Sequence, residues 1–376
     1  QEDRLVAKSE EAVFQWCVRW WEAGERPEAE LLAVMKHVRF AVMATSFLRE
    51  TVGAWPALDS KGGQRMIWNA LVPAADGTKV VPRSGCGPRL IYVVGGYGGD
   101  KLSTAELYDP QNASWTQLAS MAGPRSSLGC IALDGKLYAV GGTYGPAFQD
   151  LSLDTAEVYD PQTDSWQPLA KMSIARHALG LVAVGGKIYA IGGQDGMHLP
   201  QDSVEAYDPQ LSAWAPVASM SEKRRYHASM VLDGKIYTIG GCGQDHTALD
   251  TAEVYDPQAD SWQPVASMPQ AWMAHAATAM GGKIYVTGGF TQGSTNSQNS
   301  VCVYDPQANA WTQLTSMSTG RRCHASAAVG GKLYVFGGIG VGGRLSTAEV
   351  YDPASDSWAQ ESELTSPRAG MVAVAM

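Results

Sequence analysis

Hydrophobic and polar positions follow two periods along this chain, and the change of period divides it. Between residues 9 and 50 the apolar side chains fall at helical spacing. Val13, Phe14, Cys17, Val18 and Trp21 make one stripe, and Leu31, Leu32, Val34 and Met35 make another. Ser9 is placed to cap the first helix with Glu10 and Glu11 at its positive end, and Pro27 suits the first turn of the second. Further on, the apolar runs are short, rich in β-formers, and closed by Gly-Gly at Gly95, Gly141, Gly192, Gly240, Gly288 and Gly337. The intervals are 46, 51, 48, 48 and 49 residues, the signature of a repeat.

Each Gly-Gly is followed by Tyr-Asp-Pro, starting at Tyr108, Tyr159, Tyr207, Tyr255, Tyr304 and Tyr351. Seven residues after each tyrosine stands a tryptophan: Trp115, Trp166, Trp214, Trp262, Trp311 and Trp358. The second unit reads as four strands. Ser127–Leu133 is an apolar run, Asp134-Gly135 a hairpin turn, and Leu137–Val140 the return strand. Ala156–Tyr159 and Trp166–Leu169 follow, joined by a turn that begins at Asp160-Pro161. Units of this size bury their faces only by stacking on neighbours, which predicts propeller blades. The first unit lacks an innermost strand of its own, while the chain runs on past Trp358. The stretch 366–376 therefore pairs with the first unit and closes the ring, leaving no long open sheet edge.

Composition narrows the class. Forty-one glycines, 12 tryptophans and 17% charged residues describe a turn-rich globular chain and argue against a disordered or nucleic-acid-binding one. A net charge of −9 disfavours polyphosphates and anionic membranes as partners. No apolar run approaches the roughly 18–20 residues of a membrane span. Residues 1–16 interleave charges with apolar residues and form no secretory core. Cys17, Cys86, Cys130, Cys242, Cys302 and Cys323 are scattered, so neither a disulfide framework nor a zinc site is expected, and a reducing compartment is, the cytoplasm or the nucleus. The start at Gln1 is what a piece of a longer protein would show.

The Gly-Gly, Tyr-Asp-Pro and trailing Trp motifs over residues 88–376 resemble the Kelch family, which implies an all-β, six-bladed Kelch β-propeller. The N-terminal string Ser9-Glu10-Glu11, Trp20, Leu31-Leu32, His37-Val38-Arg39-Phe40 and Phe47-Leu48 resembles the later part of a BACK domain. That assigns residues 1–52 to a small helical, partly BACK-like segment. Residues 53–87, with Gly53, Pro56 and Gly62-Gly63, read as degenerate BACK sequence and linker. BACK joins BTB to Kelch in substrate receptors of cullin-3 ubiquitin ligases. The resemblance implies a non-enzymatic interaction module without cofactor or metal, and cullin-3 as a partner only if a BTB domain lies upstream. Other readings stay open: a helical hairpin that merely packs on the propeller, an actin-binding or scaffold protein, or a propeller enzyme of the copper-oxidase or sugar-isomerase type.

Columns of the repeat can be compared within the chain. Sixteen residues before each Gly-Gly stand Arg125, Arg176, Arg224, Trp272 and Arg321, with Arg368 in the same place for blade one. Two before each tyrosine stand Glu106, Glu157, Glu205, Glu253, Cys302 and Glu349. Both exceptions fall in the fifth unit, as expected of buried Arg–Glu pairs that are lost together. The next column varies (Ser126, His177, Arg225, Met273, Arg322, Ala369), as residues facing a partner would. The loops after Gly-Gly share its face and carry Tyr97, Tyr144, Gln194, Asp195, Gln244, Phe290 and Arg344. By the resemblance this face holds a short peptide of a substrate, often acidic. Arg225 and Arg322 would meet its carboxylates, with Tyr226 and Trp272 extending the surface. His227, His275 and His324 occupy one column near the channel and are expected to pack or hydrogen-bond there; a zinc or copper site is the alternative.

Overall fold

In the computed structural model, residues 90–145, 151–294 and 296–376 are described. The expected helices of residues 9–50 and the linker 53–87 lie outside the described residues. Of two compact units, Gln1–Arg89 and Leu90–Met376, all described residues belong to the second.

The repeat becomes six antiparallel four-stranded sheets, the blades of a propeller. Blade four shows the unit: an inner strand Ala228–Leu232, then Lys235–Ile239, Ala252–Asp256 and the outer strand Ser261–Val265. Asp233 and Gly234 between the first two both have positive φ (50° and 74°), the conformation that matches strand twist in a two-residue hairpin. Blade one is composite. Its inner strand is Val372–Ala375, paired with Ile91–Val94 from Val94↔Val372 to Ile91↔Ala375.

Each motif residue has a mechanical part. The six tyrosines are fully buried between blades, each against its own tryptophan at 4.7–5.2 Å between ring centroids. In five blades the tryptophan Nε1–H also donates across the seam, as from Trp262 to the Ala218 carbonyl at 2.9 Å. Asp256 caps the turn after its strand by accepting from the Gln258 N–H at 2.9 Å.

The inner strand expected from Ser127 starts at Gly129 instead, because Ser127 is left-handed (φ 53°). So are its equivalents Ala178, Tyr226, Ala274, Cys323 and Gly370. Each donates its N–H to the carbonyl of its counterpart in the preceding blade at 2.7–2.9 Å, and Ser127 closes the circle on Gly370. A hydrogen-bonded collar thus joins all six blades at the base of the loop face.

Candidate functional site

The loop face rests on a buried ionic lattice. Arg125–Glu157, Arg176–Glu205, Arg224–Glu253, Arg321–Glu349 and Arg368–Glu106 pair at 2.7–2.8 Å with almost no exposure. In four blades the same arginine donates to the carbonyl of the first Gly-Gly glycine at 2.8–2.9 Å. In these four blades the glutamate's other oxygen accepts a backbone N–H of the incoming loop, as from Ser318 to Glu349 at 2.8 Å. One pair therefore fixes both loops of a blade. The first glycine has to be glycine: at Gly192 φ is +54°, and a Cβ would lie 2.7 Å from the Arg224 carbonyl oxygen.

Blade five solves the same space with Trp272 and Cys302. Trp272 is 1% exposed and packs in the cluster of Met268, Ile284 and Cys302. It offers no surface to a partner, which corrects its expected place on the binding face. A tryptophan filling the volume of a buried arginine lies as deep as that arginine.

The variable column and the loops after Gly-Gly are joined by backbone bridges: Ser126↔Thr143, His177↔Gln194, Arg225↔Cys242, Met273↔Phe290, Arg322↔Ile339 and Ala369↔Tyr97. This burial takes Ser126, His177 and Gln194 out of solvent, at 8%, 2% and 4% exposure. These three build the face from beneath and do not line it. Tyr97, Arg225, Tyr226, Phe290 and Arg322 are half-buried, while Tyr144, Gln244 and Arg344 are exposed. Cys242, not Gln244, takes the bridged position in blade four.

Arg225 is the most strongly held of the face cations. It donates to Gln194 Oε1 and, at 2.7 Å, to His246 Nδ1, with Cys242 Sγ 3.9 Å away. Its guanidinium carbon lies 5.9 Å from the Tyr226 ring centroid. Arg322 lies 5.0 Å from the Phe290 ring centroid and Arg344 5.0 Å from that of Tyr97. Among the described residues none of these three arginines has a carboxylate partner, whereas the five lattice arginines each have at least one. The repeat pattern did not single out Gln194 and His246 as the residues that orient Arg225. They sit in loops whose sequences differ from blade to blade.

Below the collar runs a channel of about 490 Å³, walled mainly by glycine, alanine and aliphatic residues of the inner strands. His227, His275 and His324 lie in its wall, edge-on to Gly192, Gly240 and Gly288. Burial pushes His227 down to about 3, with Arg224 adding to the effect, and His275 down to about 4. Burial holds His324 well below its ordinary value too, and its Nε2 bonds Thr287 Oγ1 at 2.8 Å. These are neutral packing groups. Among the described residues no cluster of three or more His, Cys, Asp or Glu is arranged to hold a metal.

Fold and face together define a class: a six-bladed propeller whose bridged loops present arginines and aromatics around a narrow channel. Residues 64–241 and 226–376 match the KLHDC2/KLHL20/DRC7 Kelch-repeats domain, and the chain belongs to the Kelch-repeat family. Residues 1–53 match the BACK domain, described as BTB And C-terminal Kelch. Kelch-like ECH-associated protein 1B of Danio rerio is 34% identical over 198 residues, 52% of this chain and 33% of that protein. Kelch-like protein 28 of Homo sapiens is 33% identical over 209 residues, 52% of this chain and 37% of that protein. Kelch-like protein 7 of Homo sapiens is 27% identical over 206 residues, covering 52% and 33%. The matches thus span little more than a third of these relatives' length. The solved structure of YjhT superposes with a TM-score of 0.61 at 17% identity, covering 72% of this chain and 96% of that one, a likeness of fold.

Proposed function

We propose that the loop face binds a short acidic segment of a protein substrate, and that the chain is the substrate-recognition part of a cullin-3 ubiquitin-ligase adaptor. One observation carries the first half. Arg225, Arg322 and Arg344 stand on one face, braced against aromatic rings and lacking carboxylate partners among the described residues. A cation held in place without its counter-ion is prepared for one supplied by a ligand. The second half rests on the BACK match and the Kelch-like relatives. Catalysis would then be proximity, with the propeller holding the substrate and the ligase recruited through another part of the protein. The unpaired cysteines Cys130, Cys242, Cys302 and Cys323 suit the cytoplasm or nucleus, where such ligases act.

The two halves separate experimentally. On an array of acidic peptides, Arg225→Glu with Arg322→Glu should abolish binding while the propeller stays folded by circular dichroism; unchanged binding refutes the acidic-segment reading. Cullin-3 should co-purify with the longest natural form of the protein. Its absence refutes the adaptor reading and leaves peptide binding standing.

A further inference from the structure

The loop face is divided. Six large apolar side chains are strongly exposed among the described residues, and four of them, Tyr144 (44%), Leu151 (47%), Met197 (75%) and Leu199 (43%), lie on the adjoining loops of blades two and three. Tyr144 and Leu151 face each other in a two-residue ribbon. Next to Leu151, the Ser152 hydroxyl reaches His177 Nδ1 at 2.9 Å and the Gln194 carbonyl at 3.5 Å, which sets the blade-two loop against that of blade three.

The blade-three loop is braced to hold its apolar residues outward. The Asp195 carboxylate accepts the N–H groups of Met197 and Leu199 at 2.8 and 3.0 Å and the Gln201 amide at 2.9 Å. His198 between them is left-handed at φ 63° and bonds Gln194 at 2.8 Å. A rigid loop that keeps two large apolar groups in water marks an interaction site. Cations border this shelf. The Gln194 amide that holds His198 also accepts from Arg225, so the shelf begins one side chain from that guanidinium. At its other end Lys101 donates to the Tyr144 carbonyl at 3.0 Å.

We infer that the bound segment is amphiphilic along its length, with carboxylates over Arg225 and apolar residues over a shelf of Tyr144, Leu151, Met197 and Leu199. This rests on the acidic-segment reading above and narrows it. An extended chain advances about 3.3 Å per residue, so carboxylate and apolar residues of the segment stand at a fixed spacing. Charge complementarity at the border, where Arg225 and Lys101 flank the shelf, points to a peptide that carries carboxylates beside its apolar residues.

The test is selection of random peptides by display on the full chain, the shelf variant Met197→Ser with Leu199→Ser, and the charge variant Arg225→Glu with Arg322→Glu. Wild type should enrich carboxylates together with apolar residues at fixed spacing. The shelf variant should keep the acidic preference, lose the apolar one, and bind the best wild-type peptide roughly tenfold more weakly with Tm unchanged. Acidic enrichment with no apolar preference overturns this inference and leaves the proposed function intact. Absence of acidic enrichment in the wild type overturns both. A wild type that dimerises in sedimentation, and a shelf variant that does not, would assign the shelf to a second copy and overturn the inference.

Discussion

Replacing Arg321 by tryptophan, alone and together with Glu349→Cys, asks whether the ionic lattice behaves as a set of coupled pairs. Blade five already holds Trp272 and Cys302 in these places, so the double variant copies an arrangement the fold accepts. In blade six the Arg321 side chain is 0% exposed and donates to Glu349 at 2.7 Å, to the Gly337 carbonyl at 2.8 Å and to the Thr347 carbonyl at 3.0 Å. Burial lowers its pKa, and the glutamate offsets that by favouring the charged form. R321W leaves Glu349, 1% exposed, with only the Ser318 donors at 2.7–2.8 Å and the Thr319 N–H at 3.3 Å. E349C leaves a buried guanidinium facing carbonyls. Either single change should cost about 3–5 kcal/mol, a Tm fall of roughly 6–20 °C on the scale of large domains. The double change removes both charges and should cost about 2–4 kcal/mol, mostly for the orphaned backbone groups. Urea denaturation followed by tryptophan fluorescence and far-UV circular dichroism measures this, provided the two transitions coincide. Additivity within about 0.5 kcal/mol, or single costs under about 1 kcal/mol as for surface pairs, would refute the buried-pair reasoning.

Three further outcomes follow from the same geometry. His227 and His275 are held far below the ordinary histidine value. Between about pH 4 and 6.5 the unfolded chain therefore binds more protons. Their contribution is whole above pH 6.5 and fades on acidification at up to about 1.4 kcal/mol per pH unit for each. His227→Leu with His275→Leu, the residue type at Leu128 and Leu179, should flatten urea midpoints across that range; an unchanged slope contradicts it. Gly192→Ala should cost about 1–3 kcal/mol, since it forces a side chain onto a left-handed residue against a carbonyl; a neutral result in calorimetry would show that the Gly-Gly turn yields. Deleting residues 366–376 removes the inner strand of blade one along with Arg368 and should abolish cooperative unfolding of the whole ring. A soluble truncation with one sharp transition counts against closure by the C terminus.

The parts of the fold that were readable in advance are those in which one residue type is forced by backbone or packing geometry. The first Gly-Gly glycine has a carbonyl in the space of its missing Cβ, and the Tyr–Trp pair fills every seam. The Arg–Glu columns were readable because their members change together. The collar was not. A left-handed residue there is Ser, Ala, Tyr, Ala, Cys or Gly, because interblade hydrogen bonds and not residue type fix its backbone. Variation in a column also proved a poor guide to exposure, since Ser126 and His177 vary and are buried under a bridge. Trp272 lies deeper than a face residue because its column tells what it replaces and says nothing of depth. The histidine column shares its place with Leu128, Leu179 and Met371, which already speaks for packing. The apolar shelf depends on the turn Asp195 makes within one irregular loop, which no period announces.

Charge exchange across the loop face is the most direct measurement. An acidic peptide selected on the wild-type protein and its counterpart with lysines for the acids would be titrated by fluorescence polarisation against wild type and the Arg225→Glu, Arg322→Glu variant. The predicted result is a crossover: wild type binds the acidic peptide alone, and the variant, still folded, loses it and gains the lysine peptide. Equal binding of the acidic peptide to both proteins would contradict recognition by these arginines.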